Sequence, residues 1–396
     1  MANRTTTIAK TLARAMLAGT WEFESCLKRA KRVVTPNGRW LKPLVRRVFT
    51  RFAGQSPWQR DVASFILDDE RFRFAVAEHT PHLNQVFFPP EFRPIGPATG
   101  WRLPRIESPL QLAEILGLSL RHLEWFADVK QLNFRIPRRK LHHYCYRALA
   151  KKFGTIRMIE SPKPRLKEIQ QQLLWQILDE IPPHSAAHGF RRGRSVRTFA
   201  KPHEGKQVVL RIDLQDFFPA IRATRINSLF RFAGYPEAVA SRLTGLCTTR
   251  TPDYAWDELP ELPGRTRDSV QRLYRWPHLP QGAPTSPALA NLAAFRLDCR
   301  LYRLTKSAGG TYTRYADDLV FSGNGTFARR VDRFQTHVCA VAIEEGFSVN
   351  HNKTRIMRAG VQQKVGGVVV NEHVNFPRKE YDRLKATLTN CIRQGP

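Results

Sequence analysis

Apolar positions fall at two spacings along the chain. Up to about residue 87 they recur every three or four positions, as at Leu41, Leu44, Val45 and Val48, with Lys42, Arg46 and Arg47 off the stripe. That period predicts helices over 11–33, 40–52 and 58–77. A proline-rich link with Pro89, Pro90, Pro94, Pro97 and Pro104 then marks a boundary. Beyond it, Ser108-Pro109 offers a capping hydroxyl and a proline for a helix over 110–116, and a second helix is predicted over 120–127. Leu166, Ile169, Leu173 and Ile177 share one face of a further helix. Helices are also predicted over 225–232, 236–246, 326–345 and 378–391. Another starts at Ser286-Pro287, with Ala288, Leu292, Phe295 and Cys299 on its buried side.

Runs rich in β-branched and aromatic residues predict strands. They lie at 144–150 and 155–160, around the basic turn Lys151-Lys152-Phe153-Gly154, and at 208–213 and 365–371. Two short strands flank Tyr315-Ala316-Asp317-Asp318, with the acidic pair at or beside their turn, and a strand runs into a loop over 347–354. The polar, proline-interrupted stretch 249–277 is predicted as an extended loop. Helices and antiparallel strands in this order give an α+β chain.

Charge narrows the partner. Lys plus Arg number 64 against 34 for Asp plus Glu, a net charge of +30. Arginines interleaved with aromatics suit nucleic acid better than an acidic membrane surface. The basic helices before residue 105 present either a solvated face or an RNA-docking one. No run reaches the roughly 18 apolar residues of a membrane span, and no signal-peptide core precedes the fold, so a cytoplasmic protein without membrane contact is expected. The six cysteines form no Cys-x-x-Cys pair, which argues against a zinc or disulfide framework.

Adjacent carboxylates beside buried strands are costly unless a cation lies between them. Asp317 and Asp318 therefore suggest a hard divalent ion such as Mg²⁺, although an Asp-Asp pair can also simply favour a bend. A second acidic run, Arg211-Ile212-Asp213-Leu214-Gln215-Asp216-Phe217-Phe218, ends a predicted buried strand at Asp213. Between the two lies Leu279-Pro280-Gln281-Gly282-Ala283-Pro284-Thr285-Ser286-Pro287.

In this order, Asp-x-x-x-Phe-Phe, Pro-Gln-Gly and Tyr-x-Asp-Asp resemble the palm motifs of reverse transcriptases. The resemblance implies a right-hand polymerase fold: a basic N-terminal helical region over 1–105, fingers over 106–207, a palm over 208–357, and a primer-grip strand with the start of a thumb over 358–396. Because the chain stops at Pro396, the thumb is expected to be short or truncated. The implied chemistry is RNA-directed DNA synthesis with two Mg²⁺ ions, Mn²⁺ being able to substitute, held by Asp213, Asp317 and Asp318. Lys353 matches the lysine that neutralises or protonates the leaving pyrophosphate. Arg157 matches the arginine that grips the triphosphate, with Lys151 and Lys152 near the same tip. Asp216 and Gln281 fall beside the incoming nucleotide, and Phe218 takes the place of the steric gate that excludes a 2′-hydroxyl, making dNTPs the substrates. Arg191, Arg194, Tyr315 and Gly367 match positions facing template and primer.

Within that family the chain most resembles the retron branch of bacterial enzymes. This implies a structured noncoding RNA as template and primer, a cDNA product, an effector protein, and a role in antiphage defence. Two positions depart from the retron pattern: Phe199-Ala200-Lys201-Pro202-His203 stands where Asn-Ala-x-x-His is usual, and Val365-Gly366-Gly367 where Val-Thr-Gly is usual. The alternatives are a defence enzyme with another template or priming mode, and a nucleic-acid-binding scaffold with a dead site.

Overall fold

The computed structural model describes residues 2–19, 21–52, 57–86, 90–133, 139–150, 156–256 and 267–395; the predicted turn carrying Lys151 and Lys152 lies outside them. Two compact units emerge, Met1–Val129 with Asn227–Thr244, and Lys130–Ile226 with Gly245–Pro396.

The first unit is helical: α1 (Ala2–Leu17), α2 (Phe23–Val33), α3 (Leu41–Arg51), α4 (Gln59–Asp68), α5 (Glu70–His79), α6 (Pro109–Ile115) and α7 (Leu120–Ala127). A two-residue pairing of β1 (Val34–Thr35) with β2 (His82–Leu83) ties the end of α2 to the stretch after α5. Leu41, Leu44, Val45 and Val48 do form one buried stripe, joined by Leu12, Met16, Leu27, Ile66 and Phe72. The predicted helix 11–33 is two helices, because Arg29 of α2 turns back to donate to the last carbonyls of α1, Ala15 at 3.0 Å and Met16 at 2.8 Å. The predicted helix 58–77 also breaks. Asp69 accepts from the Phe72 N–H at 2.8 Å to start α5, and Arg47 of α3 clamps the same carboxylate at 2.6 and 3.0 Å. Two of the cations on the basic helices are thus internal fasteners.

In the second unit, β3 (Tyr144–Ala150) and β4 (Ile156–Pro162) make an antiparallel hairpin. Four antiparallel strands form the central sheet in the order β6 (Thr311–Tyr315), β7 (Asp318–Gly323), β5 (Val208–Gln215), β8 (Ser348–Arg358). The expected strand-loop over 347–354 is one continuous strand, bulged opposite Arg211 and Asp213. Helices Phe295–Ser307 and Val331–Glu344 carry apolar residues to the sheet, with Phe334 packing on Phe321 at 5.3 Å.

Several predicted elements are subdivided. The helix from Ser286 halts at Ala294 and restarts, which turns Phe295 outward at 44% exposure and buries Leu289, Leu297 and Leu301 instead. The helix over 326–345 divides at Arg330 into Gly325–Arg329 and Val331–Glu344. The stretch 249–277, expected as loop, holds a short turn of helix at Asp253–Trp256 and the helix Arg267–Tyr274. Trp256 and Tyr274 are buried with Met158, which pins this connection to β4. The predicted strand 365–371 is a small hairpin of β9 (Lys364–Val365) and β10 (Val368–Val369). The last helix, Arg378–Gln394, has no buried residue.

Candidate active site

The register Tyr315 to Asp318 leaves Ala316 and Asp317 as a two-residue turn between β6 and β7. Ala316 lies at φ +56°, a conformation that costs a non-glycine residue about 1–3 kcal/mol and persists only where neighbours impose it. Those neighbours are identifiable. Arg314, fully buried, bonds Asp298 at 2.7 and 2.8 Å, Asn291 at 3.0 Å and the Ala316 carbonyl at 3.1 Å, while the Tyr312 hydroxyl donates to Asp298 at 2.7 Å. Burial opposes the guanidinium's charge, but Asp298 outweighs it and the Arg314 pKa is raised. From the other side, Gly189 lies so close that a Cβ there would stand 2.8 Å from the Ala316 nitrogen. Asn291 donates to the Gly189 carbonyl at 2.8 Å, and the His188 N–H to the Arg314 carbonyl at 2.7 Å. Gly189, in the run 188–195, therefore serves the turn between β6 and β7 directly.

The strands deliver the carboxylates together. Asp213 of β5 and Asp318 of β7 are cross-strand partners, and the Leu214 N–H donates to the Asp317 carbonyl at 2.8 Å. Lys353 of β8 lies 3.1 Å from both oxygens of Asp213, and the Arg211 Nε lies 2.8 and 2.9 Å from those of Asp318. Burial raises the Asp317 pKa, and the Asp213 charge adds to it. Burial likewise pushes Asp318 up to about 6, against the pull of Arg211. Among the described residues no three carboxylate, imidazole or thiol groups already converge as an ion cage. The donor set nevertheless suits a hard cation: all-oxygen, anionic, desolvated and mutually repelling.

Around this centre the other predicted residues separate by environment. Phe217 is buried and stacks on Phe347 at 5.5 Å, whereas Phe218 is half-buried and faces Phe190 at 6.3 Å. Asp216 turns the chain at φ +50° and starts the helix Phe217–Ala220. Arg157 is exposed on β4, and its charge lowers the Asp317 pKa against the dominant effect of burial. The Gln281 carbonyl accepts from the Glu160 N–H of β4 at 2.9 Å, fastening the Pro-Gln-Gly turn to the hairpin. Arg191 is half-buried and donates to the carbonyls of His184 and Ala187 at 3.2 and 3.1 Å, whereas Arg194 is exposed. Tyr315 packs on Phe190 and Phe199, at 6.2 and 5.6 Å. Gly367 shares the β9–β10 turn with Gly366, and a Cβ added to Gly367 would meet nothing within 4 Å.

Sequence reading missed four contributors. Arg314 and Asp298 look like ordinary charges on a strand and a helix. Arg211 stands two residues before Asp213, on a strand otherwise apolar to that point, which was the available signal. Glu160, fully buried, accepts from the Thr251 hydroxyl at 2.6 Å and meets His278 at 2.9 Å, joining β4 to both ends of the 249–278 connection.

The family model described as reverse transcriptase (RNA-dependent DNA polymerase) matches residues 149–378. The chain is 40% identical over 279 residues to the Retron Mx65 reverse transcriptase of Myxococcus xanthus, covering 70% of this chain and 61% of that protein. It is 37% identical over 309 residues to the Retron Mx162 reverse transcriptase of the same organism, covering 74% and 61%. To the Retron Ec86 reverse transcriptase of Escherichia coli it is 32% identical over 234 residues, covering 59% and 64%. The chain thus spans less than two thirds of the length of each of these three relatives. A match over more than half of the chain, on the segment that builds the carboxylate sheet, means that this protein belongs to the reverse transcriptase family.

Proposed function

We propose that the protein is an RNA-directed DNA polymerase of the retron type, which copies part of a structured noncoding RNA into DNA from dNTPs. The observation that carries this is the pairing of Asp213 with Asp318 on neighbouring strands, with Asp317 in the adjoining turn, whose Ala316 carbonyl is held by Arg314. Two bound Mg²⁺ ions, for which Mn²⁺ can substitute, would activate the primer hydroxyl and neutralise the charge developing on the α-phosphate and the leaving pyrophosphate. Asp213 and Asp317 would hold them, with Asp318 completing the acidic set.

The chain's own side chains supply the rest. Lys353 balances Asp213 in the resting site and, being half exposed, is the group we assign to the pyrophosphate proton. Phe218 closes the space beneath the sugar, so a 2′-hydroxyl clashes. Arg157 takes the triphosphate, with Asp216 and Gln281 beside the incoming nucleotide. Arg191 and Arg194 contact template phosphate, while Tyr315 and Gly367 face the primer. We further infer a role in antiphage defence alongside an effector protein. Phe199 and Gly366 leave room for a second mode, a defence enzyme that primes differently and releases free DNA.

Primer extension on poly(rA)·oligo(dT) with Mg²⁺ tests the polymerase. Asp317→Asn should lower the rate by roughly several hundredfold or more. It should also remove most of the Mg²⁺-dependent rise in melting temperature, which is read without any turnover. A variant that extends near the parent rate would overturn the assignment.

A further inference from the structure

We propose that a cavity of about 930 Å³, lined entirely by residues of the first unit, seats an unpaired segment of the RNA partner. This rests on the proposed RNA-dependent function and adds to it a second place where RNA is held. Five cations line the cavity, Lys10, Arg14, Arg60, Arg93 and Arg231, against two carboxylates, Glu91 and Glu237. Arg231 and Glu237 satisfy each other at 2.6 Å, which leaves a marked positive excess.

An aromatic platform reaches the same lining at Trp58. Trp58 is half-buried, with Phe232 stacked at 5.9 Å and an interplanar angle of 27° and the Arg60 guanidinium 5.7 Å from the ring. Arg60 is 82% exposed and makes a 3.3 Å contact with its neighbour Asp61. A base can stack on that guanidinium or displace it and lie on the indole. Cations around a stacking surface match the two faces of a single-stranded nucleotide, its phosphate and its base. Paired RNA would offer only the phosphate.

Two lining residues add an independent indication. Among the described residues the Tyr235 hydroxyl and one terminal nitrogen of Arg93 are shut off from solvent with no hydrogen-bond partner, and unsatisfied groups of this kind are few in a folded protein. Arg93 is otherwise well anchored: its other terminal nitrogen donates to the Leu17 carbonyl at 2.6 Å, and its backbone N–H to the Gly234 carbonyl at 2.7 Å. An occupant bearing phosphate and ribose oxygens would give both orphaned donors acceptors after a small local shift.

The test is crosslinking of the full chain to a short oligouridylate carrying 4-thiouridine, with adducts mapped by mass spectrometry. Adducts are expected on peptides around Trp58 and Tyr235. Arg14→Glu/Arg60→Glu changes exposed side chains only and should reduce those adducts about tenfold or more, relative to adducts on the second unit in the same sample. Trp58→Leu should reduce them, whereas Trp58→Phe, which retains a stacking face, should keep most of them. Absence of first-unit adducts, or adducts indifferent to the charge reversal, would overturn the proposal. Equal displacement by poly-glutamate would also overturn it, leaving a generic anion surface. Primer extension by the unaltered protein separates the two levels: if it fails, the polymerase function is at fault; if it succeeds without first-unit adducts, only this inference falls.

Discussion

The two sides of the Tyr315–Asp318 turn handle charge in opposite ways. Behind it, Arg314 and Asp298 have no solvent exposure, and each is met by several partners at 2.7–3.1 Å. In front, Asp213 and Asp318 are balanced by Lys353 and Arg211, side chains 50% and 34% exposed. Buried pairs resist exchange, since removing one partner strands the other in low dielectric, whereas half-exposed ones can be replaced by water or an incoming ion. The turn is thus fixed by charges that cannot leave, and its carboxylates face cations that can. The proposed polymerase function needs both, because its carboxylates would have to be positioned before a cation arrives and be free to take it.

The sharpest way to break this contrast is to empty the rear pair. Arg314→Met leaves Asp298 buried without its guanidinium and should cost about 3–5 kcal/mol of stability in urea unfolding. Arg314→Met/Asp298→Leu should recover much of that loss. Arg211→Met, by contrast, should cost about 1 kcal/mol or less. Similar losses from the two single variants would mean that front and rear are not different in kind.

His203 tests by pH the face of the sheet opposite Arg314, because Thr313 and Ser322 alternate with Arg314 and Phe321 along their strands. It is buried between the Ser322 and Thr313 hydroxyls, at 2.6 and 2.7 Å, bridging β7 and β6. Burial, with smaller contributions from His188 and Lys206, lowers its pKa from 6.5 to about 3. The folded state therefore binds this proton less readily than the unfolded chain, so stability present above pH 6.5 is lost as pH falls toward 3. At pH 5 the loss from this one group should be about 2 kcal/mol. Urea midpoints of the parent and His203→Asn, compared between pH 7.5 and 5, isolate it. An unchanged difference between the two pH values would remove His203 from the titration.

Much of the site was legible because its chemistry sits in short runs. Asp213, Asp317 and Asp318 each stand at the end of a β-branched stretch, and strand pairing alone brings such ends together. What could not be read was pairing between distant charges. Arg29 and Arg47 look like surface cations on amphipathic helices, yet they close α1 and start α5. The periodic run from Ser286 gave no sign of the break at Ala294, because Ala294 and Phe295 suit a helix and only tertiary packing divides it there. Phe190 stands between the glycines and arginines of the run 188–195, where its ring contacts with Phe218 and Tyr315 become visible only with the fold.

Phe190 belongs to the front side. It holds φ +59°, unusual for a bulky residue, and keeps its ring 48% exposed between Phe218 and Tyr315. Strain of this kind is kept where neighbours impose it. If Phe218 is the gate proposed above, we expect Phe190→Ala to loosen its ring, lowering dNTP over rNTP preference about tenfold with little effect on folding. Steady-state incorporation of each nucleotide checks it. Unchanged discrimination would restrict the gate to Phe218.

The smallest expected effect, a coupling energy, concerns the two positions that depart from the retron pattern. Phe199 is fully buried behind Tyr315, and a Cβ added to Gly366 would lie 3.2 Å from the Phe199 ring and 3.0 Å from Val196. A threonine at 366 would place its side chain against the volume that Phe199 fills, so the larger residue at one position and the absent side chain at the other compensate. Gly366→Thr should destabilise, partly because φ is +56° there and partly by this clash; Phe199→Asn should destabilise by losing the ring. The part of the clash that involves the ring vanishes when the ring is gone, while the Val196 contact remains, so the double variant should lose less than the sum of the singles, by about 1 kcal/mol. Urea unfolding of all four proteins gives that coupling energy directly. Strict additivity would mean that the two departures are independent and that Phe199 merely fills the core.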